Sequence, residues 1–259
     1  MMNETVFLFA THKLTDFVLE QYYRLKLATK NIGVLYLLIE DGELQQIPVD
    51  VNYYSFSVDT LNELNYEPIE ESIIPGSNHF PVLQFYKEHP EFLYYWNIEY
   101  DVYFNGKWES FFDPFEMIIS DFISSHIEWY TQRPKWDWWK SVQFKTLSIP
   151  QNRYLKSFNP IYRISNRALK ALDGVLSLRN SGHHEVVIPT VLDYLGYTIN
   201  DFGGNSEFTL CELNIPCYLS NSELNNWYTE STMRYRPVFN KEAITRKGID
   251  NMLYHPIKF

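Results

Sequence analysis

The first forty residues place one amphipathic stretch between two apolar runs, and this order constrains the fold more than any other feature. Residues 6–10 and 34–39 are continuous apolar runs, which are typical of strands buried on both faces of a parallel sheet. Between them a helix is predicted from Thr15 or Asp16 to about Thr29. Because two parallel strands need a crossover of this kind, the chain is predicted to open with a βαβ unit.

The next sixty residues extend this pattern and end in a pair of acids. A strand-like stretch at 51–58 and a short helix at 79–88 precede an aromatic run at 92–96, which predicts another buried strand. The order β-α-β-β-α-β is typical of the nucleotide-binding half of a doubly wound sheet. Glu99 and Asp101 follow the last run. Since open α/β sheets bind ligands outside the carboxyl ends of their strands, this carboxylate pair is a predicted site for Mg²⁺ or Mn²⁺.

The second half of the chain is less regular. Short strands are predicted at 122–127 and 161–164, and a helix is predicted from about 184 to 195. The tryptophan-rich segment 129–139 is predicted to be a loop or a lid. Because the sequence contains no internal repeat, low-complexity tract or clear linker, we predict a single domain.

Composition excludes several classes of function. A formal net charge of −10 argues against binding to a nucleic acid polymer, which requires a basic surface. Cys211 and Cys217 are too few for a disulfide framework or a zinc site and fit a reducing compartment. No apolar run approaches the ~18 residues of a membrane span. The sequence also lacks a P-loop, a GxGxxG and a GxSxG motif, which argues against an ATPase, a dinucleotide-dependent enzyme and a serine hydrolase of the usual α/β kind. We predict a cytoplasmic protein, with peripheral attachment to the inner membrane face as the alternative.

Three short motifs occur in order along the chain: Glu99-Tyr100-Asp101, Gly182-His183-His184-Glu185 and Tyr254-His255-Pro256. In this order and spacing the chain resembles a poorly characterised branch of the nucleotide-sugar glycosyltransferases with the GT-A fold. The resemblance implies a GT-A-like, Rossmann-like α/β fold with a mixed, mostly parallel central sheet flanked by helices. It also implies one domain over 1–259, in which about 1–105 bind the nucleotide and about 106–259 bind the acceptor.

The resemblance gives each motif a role. Glu99, Asp101 and His255 would hold a divalent cation, Mn²⁺ or Mg²⁺, at the two phosphates of a nucleotide-sugar donor. Glu185 would accept the proton of a carbohydrate hydroxyl, so that the transfer inverts the anomeric centre. The field at a helix start is expected to keep this carboxylate ionised. Because UDP is the commonest donor nucleotide among similar proteins, a UDP-sugar is the expected donor.

Two departures from the family pattern leave alternatives open. Glu99 stands where Asp is commoner, so this acid binds either the metal or the ribose or a water. His184 stands where many relatives carry another acid, so the base is either Glu185 or a neighbouring histidine.

Five other site residues are predicted from their positions and side-chain types. Thr11 and His12 follow the first strand and are predicted to contact the base or the ribose of the nucleotide. Trp108, Arg163 and His184 are predicted to contact the acceptor, with a phosphate contact or a structural salt bridge as the alternatives for Arg163. The resulting hypothesis is a metal-dependent glycosyltransferase.

Two other classes of function compete with this hypothesis. The first is a non-catalytic GT-A-like module that binds a glycan or a partner through its tryptophans, which include Trp136, Trp138 and Trp139. The second is a metal-dependent phosphoester hydrolase, which would need a denser set of Asp and His ligands than the sequence offers.

Overall fold

A computed structural model describes residues 4–69, 76–204, 206–210, 216–220 and 231–258. Cys211 lies outside these residues. The described strands are β1 (Thr5–Thr11), β2 (Val34–Glu40), β3 (Tyr53–Phe56), β4 (Tyr94–Glu99), β5 (Tyr103–Phe104), β6 (Phe122–Trp129), β7 (Leu155–Ser165), β8 (Ile199–Asp201), β9 (Phe239–Asn240), β10 (Leu253–Tyr254) and β11 (Ile257–Lys258). The described helices are α1 (Asp16–Thr29), α2 (Val58–Asn62), α3 (Phe80–Glu88), α4 (Trp108–Phe112), α5 (Asn166–Ser177), α6 (His184–Tyr194) and α7 (Lys241–Lys247).

The central sheet contains seven strands in the order β3-β2-β1-β4-β7-β6-β8. β1 is parallel to β2 and β4, β2 is parallel to β3, and β6 is parallel to β8. β7 runs antiparallel to both of its neighbours. The prediction of a mixed, mostly parallel sheet is therefore confirmed. The order β3-β2-β1-β4 is that of a doubly wound sheet, in which the strand order reverses between β1 and β4.

Successive residues of the sheet point into two separate helix layers. In β1, Phe7 and Phe9 pack in a core that contains residues of α1 and α4, whereas Val6 and Leu8 pack in a second core with α3, α5 and α6. Because both faces of the strand are covered, its sequence is continuously apolar rather than alternating. The helices that flank the sheet thus explain the pattern from which β1 and β2 were predicted. Within the described ranges, no helix is both long and apolar enough to cross a bilayer.

β7 is much longer than the strand predicted at 161–164. It contains eleven residues, and every one of them is buried. Asn159 and Pro160 lie at its centre, and a polar residue followed by proline conceals a strand from pattern analysis. The polar side chains of β7 therefore lie inside the protein, and Asn159 contacts a residue of the site described below.

The C-terminal segment returns to the carboxyl end of β4. β10 pairs antiparallel with β5, which follows β4 closely in the chain. The Ile257 N–H donates a hydrogen bond of 3.0 Å to the Asp101 carbonyl oxygen. These main-chain contacts hold His255 beside the two acids that follow the aromatic strand.

Candidate functional site

A cleft of ≈ 390 Å³ lies at the carboxyl ends of β1, β2, β3 and β4. Thr11 and His12 line it at the end of β1, and Glu99 lines it at the end of β4. The cleft therefore lies where the strand order reverses, which is where open α/β sheets bind their ligands. The predicted nucleotide contacts are on its wall, and His12 packs edge-to-face on Tyr100 at 5.1 Å between ring centroids.

Glu99, Asp101 and His255 meet beside this cleft. One ligand atom of each residue lies within 4.8 Å of the others. The Nε2 atom of His255 lies 3.4 Å from Asp101 Oδ1 and 4.0 Å from Glu99 Oε2. The fold thus brings His255 to a pair of acids that precede it by more than 150 residues in the chain.

Neighbouring groups orient these three side chains. The Nδ1 atom of His255 lies 2.8 Å from the Arg234 carbonyl oxygen. When Nδ1–H donates to this carbonyl, the lone pair of Nε2 faces the two acids. The Asn78 side-chain amide donates to Glu99 Oε1 at 3.2 Å. Asp101 Oδ1 is buried and makes no hydrogen bond.

The electrostatics of this cluster suit a cation. Burial and the adjacent Asp101 carboxylate raise the pKa of Glu99 to about 7, against the opposing effects of His255 and Asn78. Burial alone would lower the pKa of His255, but the Asp101 and Glu99 carboxylates outweigh it and raise that pKa. Two crowded carboxylates and one oriented imidazole nitrogen fit a divalent cation such as Mn²⁺ or Mg²⁺.

Glu185 lies in the first turn of α6, against β7. The Asn159 N–H donates to Glu185 Oε1 at 3.4 Å, and the Glu185 N–H donates to His183 Nδ1 at 3.3 Å. Burial raises the pKa of Glu185 to about 8, although Lys156 and the Asn159 N–H oppose this change. The expectation that the helix start keeps this carboxylate ionised is therefore wrong, because burial outweighs the field of the helix.

The charges of the acid cluster also change the pKa of Glu185. The Glu99 carboxylate raises its pKa, whereas His255 lowers it. Glu185 is not one of the three clustered ligands, yet it lies within electrostatic range of two of them. Glu185 is therefore coupled electrostatically to the acid cluster, although it is not among the residues that line the cleft.

A buried ion network adjoins Glu185 through β7. Lys156 is buried, and its Nζ lies 3.1 Å from Glu128 Oε2, which Arg133 Nε also approaches at 3.1 Å. Two cations and one carboxylate leave a formal charge of +1 in this group, and Lys156 accordingly lowers the pKa of Glu185. This network was not predicted from the sequence, because its residues come from two strands and from the segment predicted as a lid.

The histidines next to Glu185 are poorer candidates for a base. Burial lowers the pKa of His183 to about 3 and also lowers that of His184. Trp138 stacks on His183 at 4.3 Å between ring centroids, so the predicted lid segment packs on the start of α6. Because a general base works best when its pKa lies near the working pH, Glu185 suits the role better than either histidine.

Two predicted acceptor contacts lie away from the cleft and are wrong. Trp108 is only 2% exposed and stacks on Phe112 in the core, because α4 turns its aromatic face toward the sheet. Arg163 is only 3% exposed, and its guanidinium donates to the carbonyl oxygens of Phe115 and Ile118. Arg163 lines a separate small cavity at the amino ends of β1 and β4. His184, the third predicted acceptor contact, is buried beside Glu185.

Several polar residues of the site were not predicted from the sequence. Asn78 lies in the loop before α3, where nothing distinguishes it from an ordinary loop residue. Asn97 lies inside β4 and is buried, and it lines the cleft two residues before Glu99. Because an asparagine costs free energy to bury, its presence in an otherwise apolar strand could have marked Asn97 as a candidate site residue.

No protein-family model and no curated protein matches this chain. Among solved structures, the chain is similar to a Bacillus anthracis protein described as a glucose-1-phosphate thymidylyltransferase, with a TM-score of 0.46 and 9% identity over 78% of this chain and 87% of that one. It is also similar to a glycosyltransferase involved in the glycosylation of the major capsid of PBCV-1, with a TM-score of 0.38 and 13% identity over 78% and 84% of the two chains. The inositol-1-phosphate CTP transferase from T. maritima matches with a TM-score of 0.41 and 10% identity over 82% and 92%. With TM-scores below 0.5, these matches do not indicate a function for this chain.

Proposed function

We propose that this protein transfers a sugar from a nucleoside-diphosphate donor, with a UDP-sugar as the first candidate, to a carbohydrate hydroxyl. The main support is the cluster of Glu99, Asp101 and His255 beside one cleft, whose ligand atoms lie within 4.8 Å of one another. In this proposal the nucleotide occupies the cleft between β1 and β4, and Thr11 and His12 contact its base or its ribose.

Glu99, Asp101 and His255 would hold a divalent cation, Mn²⁺ or Mg²⁺. When bound, such a cation stabilises the negative charge that develops on a diphosphate leaving group. A chain with a formal net charge of −10 needs local neutralisation before it can bind a polyanion next to two carboxylates. The alternative role of Glu99, a contact to the ribose or a water, stays open because Glu99 also lines the cleft.

Glu185 would act as the general base. It accepts the proton of the acceptor hydroxyl, and the acceptor oxygen attacks the anomeric carbon from the side opposite the diphosphate. The bond from that carbon to the acceptor oxygen forms as the bond to the diphosphate breaks, so the configuration inverts. The Asn159 N–H holds Glu185 Oε1, and Lys156 favours the ionised form that the base requires. His184 would contact the acceptor beside this base.

A panel of nucleotide sugars, assayed with and without Mn²⁺, tests the proposal. We expect Mn²⁺-dependent release of a nucleoside diphosphate and Mn²⁺-dependent nucleotide binding. Asp101→Asn should abolish both, whereas Asp113→Asn should change neither, because Asp113 is exposed on a 3₁₀ turn away from the cluster. The absence of both binding and donor hydrolysis, in folded wild-type protein and across the panel, would contradict the proposal.

The same assay separates the competing functions. A non-catalytic glycan-binding module should bind oligosaccharide without metal and should be indifferent to Asp101→Asn. A metal-dependent phosphoester hydrolase should instead cleave the diphosphate of the nucleotide sugar and release a nucleoside monophosphate and a sugar phosphate. The identity of the released nucleotide therefore distinguishes glycosyl transfer from phosphoester hydrolysis.

A further inference from the structure

Unpaired polar atoms are concentrated in the loop that precedes α3. Of the twelve buried side-chain polar atoms without a hydrogen bond among the described residues, four belong to the consecutive residues Ser77, Asn78 and His79. A fifth is Oδ1 of Asn97, on the neighbouring strand β4. Ser77, His79 and Asn97 are 1%, 2% and 3% exposed, so bulk solvent does not reach these side chains. Since each unpaired buried group costs free energy, such a concentration calls for a ligand or another functional reason.

This loop lies between the acid cluster and the proposed base. The Asn78 amide nitrogen donates to Glu99 Oε1 at 3.2 Å, which leaves Asn78 Oδ1 as the unpaired end. On the other side, the His79 ring stacks on the His184 ring at 6.2 Å between centroids, directly before Glu185 in the chain. The His184 N–H also donates to the Gly76 carbonyl oxygen at 2.8 Å. Asn78 and Asn97 line the cleft, whereas Ser77 and His79 are buried next to Asn78 in the chain and are not among the residues that line it.

The chemistry of the unpaired atoms selects a neutral ligand that donates hydrogen bonds. Asn78 and Asn97 each leave an amide oxygen unpaired, and these oxygens can only accept. Burial lowers the pKa of His79 to about 3, so its imidazole is neutral and offers one donor and one acceptor. A phosphate group supplies acceptors, and it would leave both amide oxygens unpaired. A sugar hydroxyl donates one hydrogen bond and accepts others, and therefore matches this set.

We propose that Ser77, Asn78, His79 and Asn97 form a subsite that binds the ring of the donor sugar through its hydroxyl groups. This inference rests on the glycosyl transfer proposed above. During an in-line displacement the transferred ring must lie between the leaving diphosphate and the base. The subsite occupies the corresponding position, because it joins Glu99 on one side to the segment of Glu185 on the other.

Two variants remove unpaired atoms while preserving side-chain size, namely Asn97→Leu and His79→Phe. Neither variant breaks a hydrogen bond of the buried Oδ1 or of the imidazole nitrogens, because these atoms make none. Both proteins should therefore unfold at the wild-type temperature or above it, which separates a loss of binding from a loss of folding. His89→Phe is the matched control, because His89 lies at the opposite end of α3.

Calorimetry with Mn²⁺ measures the affinity for UDP, GDP and ADP, each as the free diphosphate and as its glucose, galactose and mannose esters. We expect the wild type and His89→Phe to bind one ester more tightly than its diphosphate. Asn97→Leu and His79→Phe should keep the affinity for the diphosphate and lose most of this advantage, roughly 3- to 10-fold for each hydrogen bond removed.

Other outcomes overturn the inference in distinguishable ways. If both variants keep the full advantage of the ester, or if the wild type binds no ester more tightly than its diphosphate, the subsite is wrong while the proposed function stands. If the wild type binds neither diphosphates nor esters, the proposed function itself fails, and the subsite fails with it.

Discussion

Replacement of Glu185 by glutamine should stabilise the protein at neutral pH while it removes the proposed activity. Glu185 is 9% exposed, and burial raises the pKa of its carboxyl from an ordinary value of 4.5 to about 8. Between these values the folded protein holds a proton that the unfolded chain has released. Because the unfolded state binds fewer protons in this range, wild-type stability falls as the pH rises from the lower value to the higher one.

The size of the effect follows from the two pKa values. One pKa unit corresponds to ~1.4 kcal/mol, so at pH 7 the shift of Glu185 destabilises the wild type by about 3 kcal/mol. Glutamine carries no such penalty. The stabilisation by Glu185→Gln should be near zero at pH 4, about 3 kcal/mol at pH 7 and roughly 5 kcal/mol above pH 8. At pH 7 the melting temperature should rise by roughly 6 to 12 °C for a chain of this size.

The local contacts preserve most of this gain. Glutamine retains the oxygen that accepts from the Asn159 N–H, which lies 3.4 Å from Glu185 Oε1. Lys156 keeps its ion pair with Glu128 at 3.1 Å, so the substitution does not strand a buried charge. The same substitution removes the proposed base, and loss of a general base lowers kcat by about 10²- to 10⁴-fold.

Urea unfolding across the pH range, together with transfer kinetics, measures both effects. Glu242→Gln is the matched control, because Glu242 is the second residue of α7, as Glu185 is of α6, but it is exposed. Its stability should change by less than about 0.5 kcal/mol at every pH. Equal stability of Glu185→Gln and wild type at pH 7 would refute the argument from burial. Transfer at the wild-type rate by Glu185→Gln would refute the role as base.

Three further predictions concern the core, the response to acid and the metal. Trp108→Ala should lower stability by about 3–5 kcal/mol in denaturant titrations, because Trp108 is a core residue, and it should leave the KM for the acceptor unchanged in the folded fraction. Burial by itself would raise the pKa of Asp121, but hydrogen bonds from Arg167, Ser165 and Thr198 outweigh burial and lower this pKa. Asp121 therefore stabilises the protein at neutral pH and loses this effect as the pH falls through its lowered pKa, so Asp121→Asn should flatten the acid limb of a pH–stability curve. Removal of divalent cations by a chelator should weaken nucleotide binding, and added Mn²⁺ should restore it, as calorimetry would report.

The strands of the nucleotide half could be predicted because they are buried and their sequences are accordingly apolar. β1 and β2 are covered on both faces, and their continuous apolar runs follow from this environment. β7 is equally buried, yet Lys156, Asn159 and Pro160 interrupt its pattern, and only a fragment of it was predicted. The difference is that β7 contributes polar groups to the site. These polar residues interrupt the apolar pattern by which a buried strand is recognised.

The candidate site likewise contains features that could be predicted from the sequence and features that could not. The order of the motifs allowed the meeting of Glu99, Asp101 and His255 to be anticipated. The pKa of Glu185 could not be anticipated, because it depends on burial and on charges contributed by other parts of the chain. Trp108 was misjudged because a tryptophan in a short helix has the same sequence pattern on a binding surface as in a core. The long-range packing that distinguishes these cases is absent from local sequence.

In the proposed function, Glu99, Asp101 and His255 hold a divalent cation beside a nucleotide in the cleft between β1 and β4. A crystal soaked with Mn²⁺ and the nucleoside diphosphate that binds most tightly in the panel would locate both ligands. We expect an anomalous signal from manganese coordinated by side chains of this cluster, with the nucleotide against Thr11 and His12. A nucleotide bound in the cleft with manganese elsewhere or absent, or a nucleotide bound on another face, would contradict this proposal.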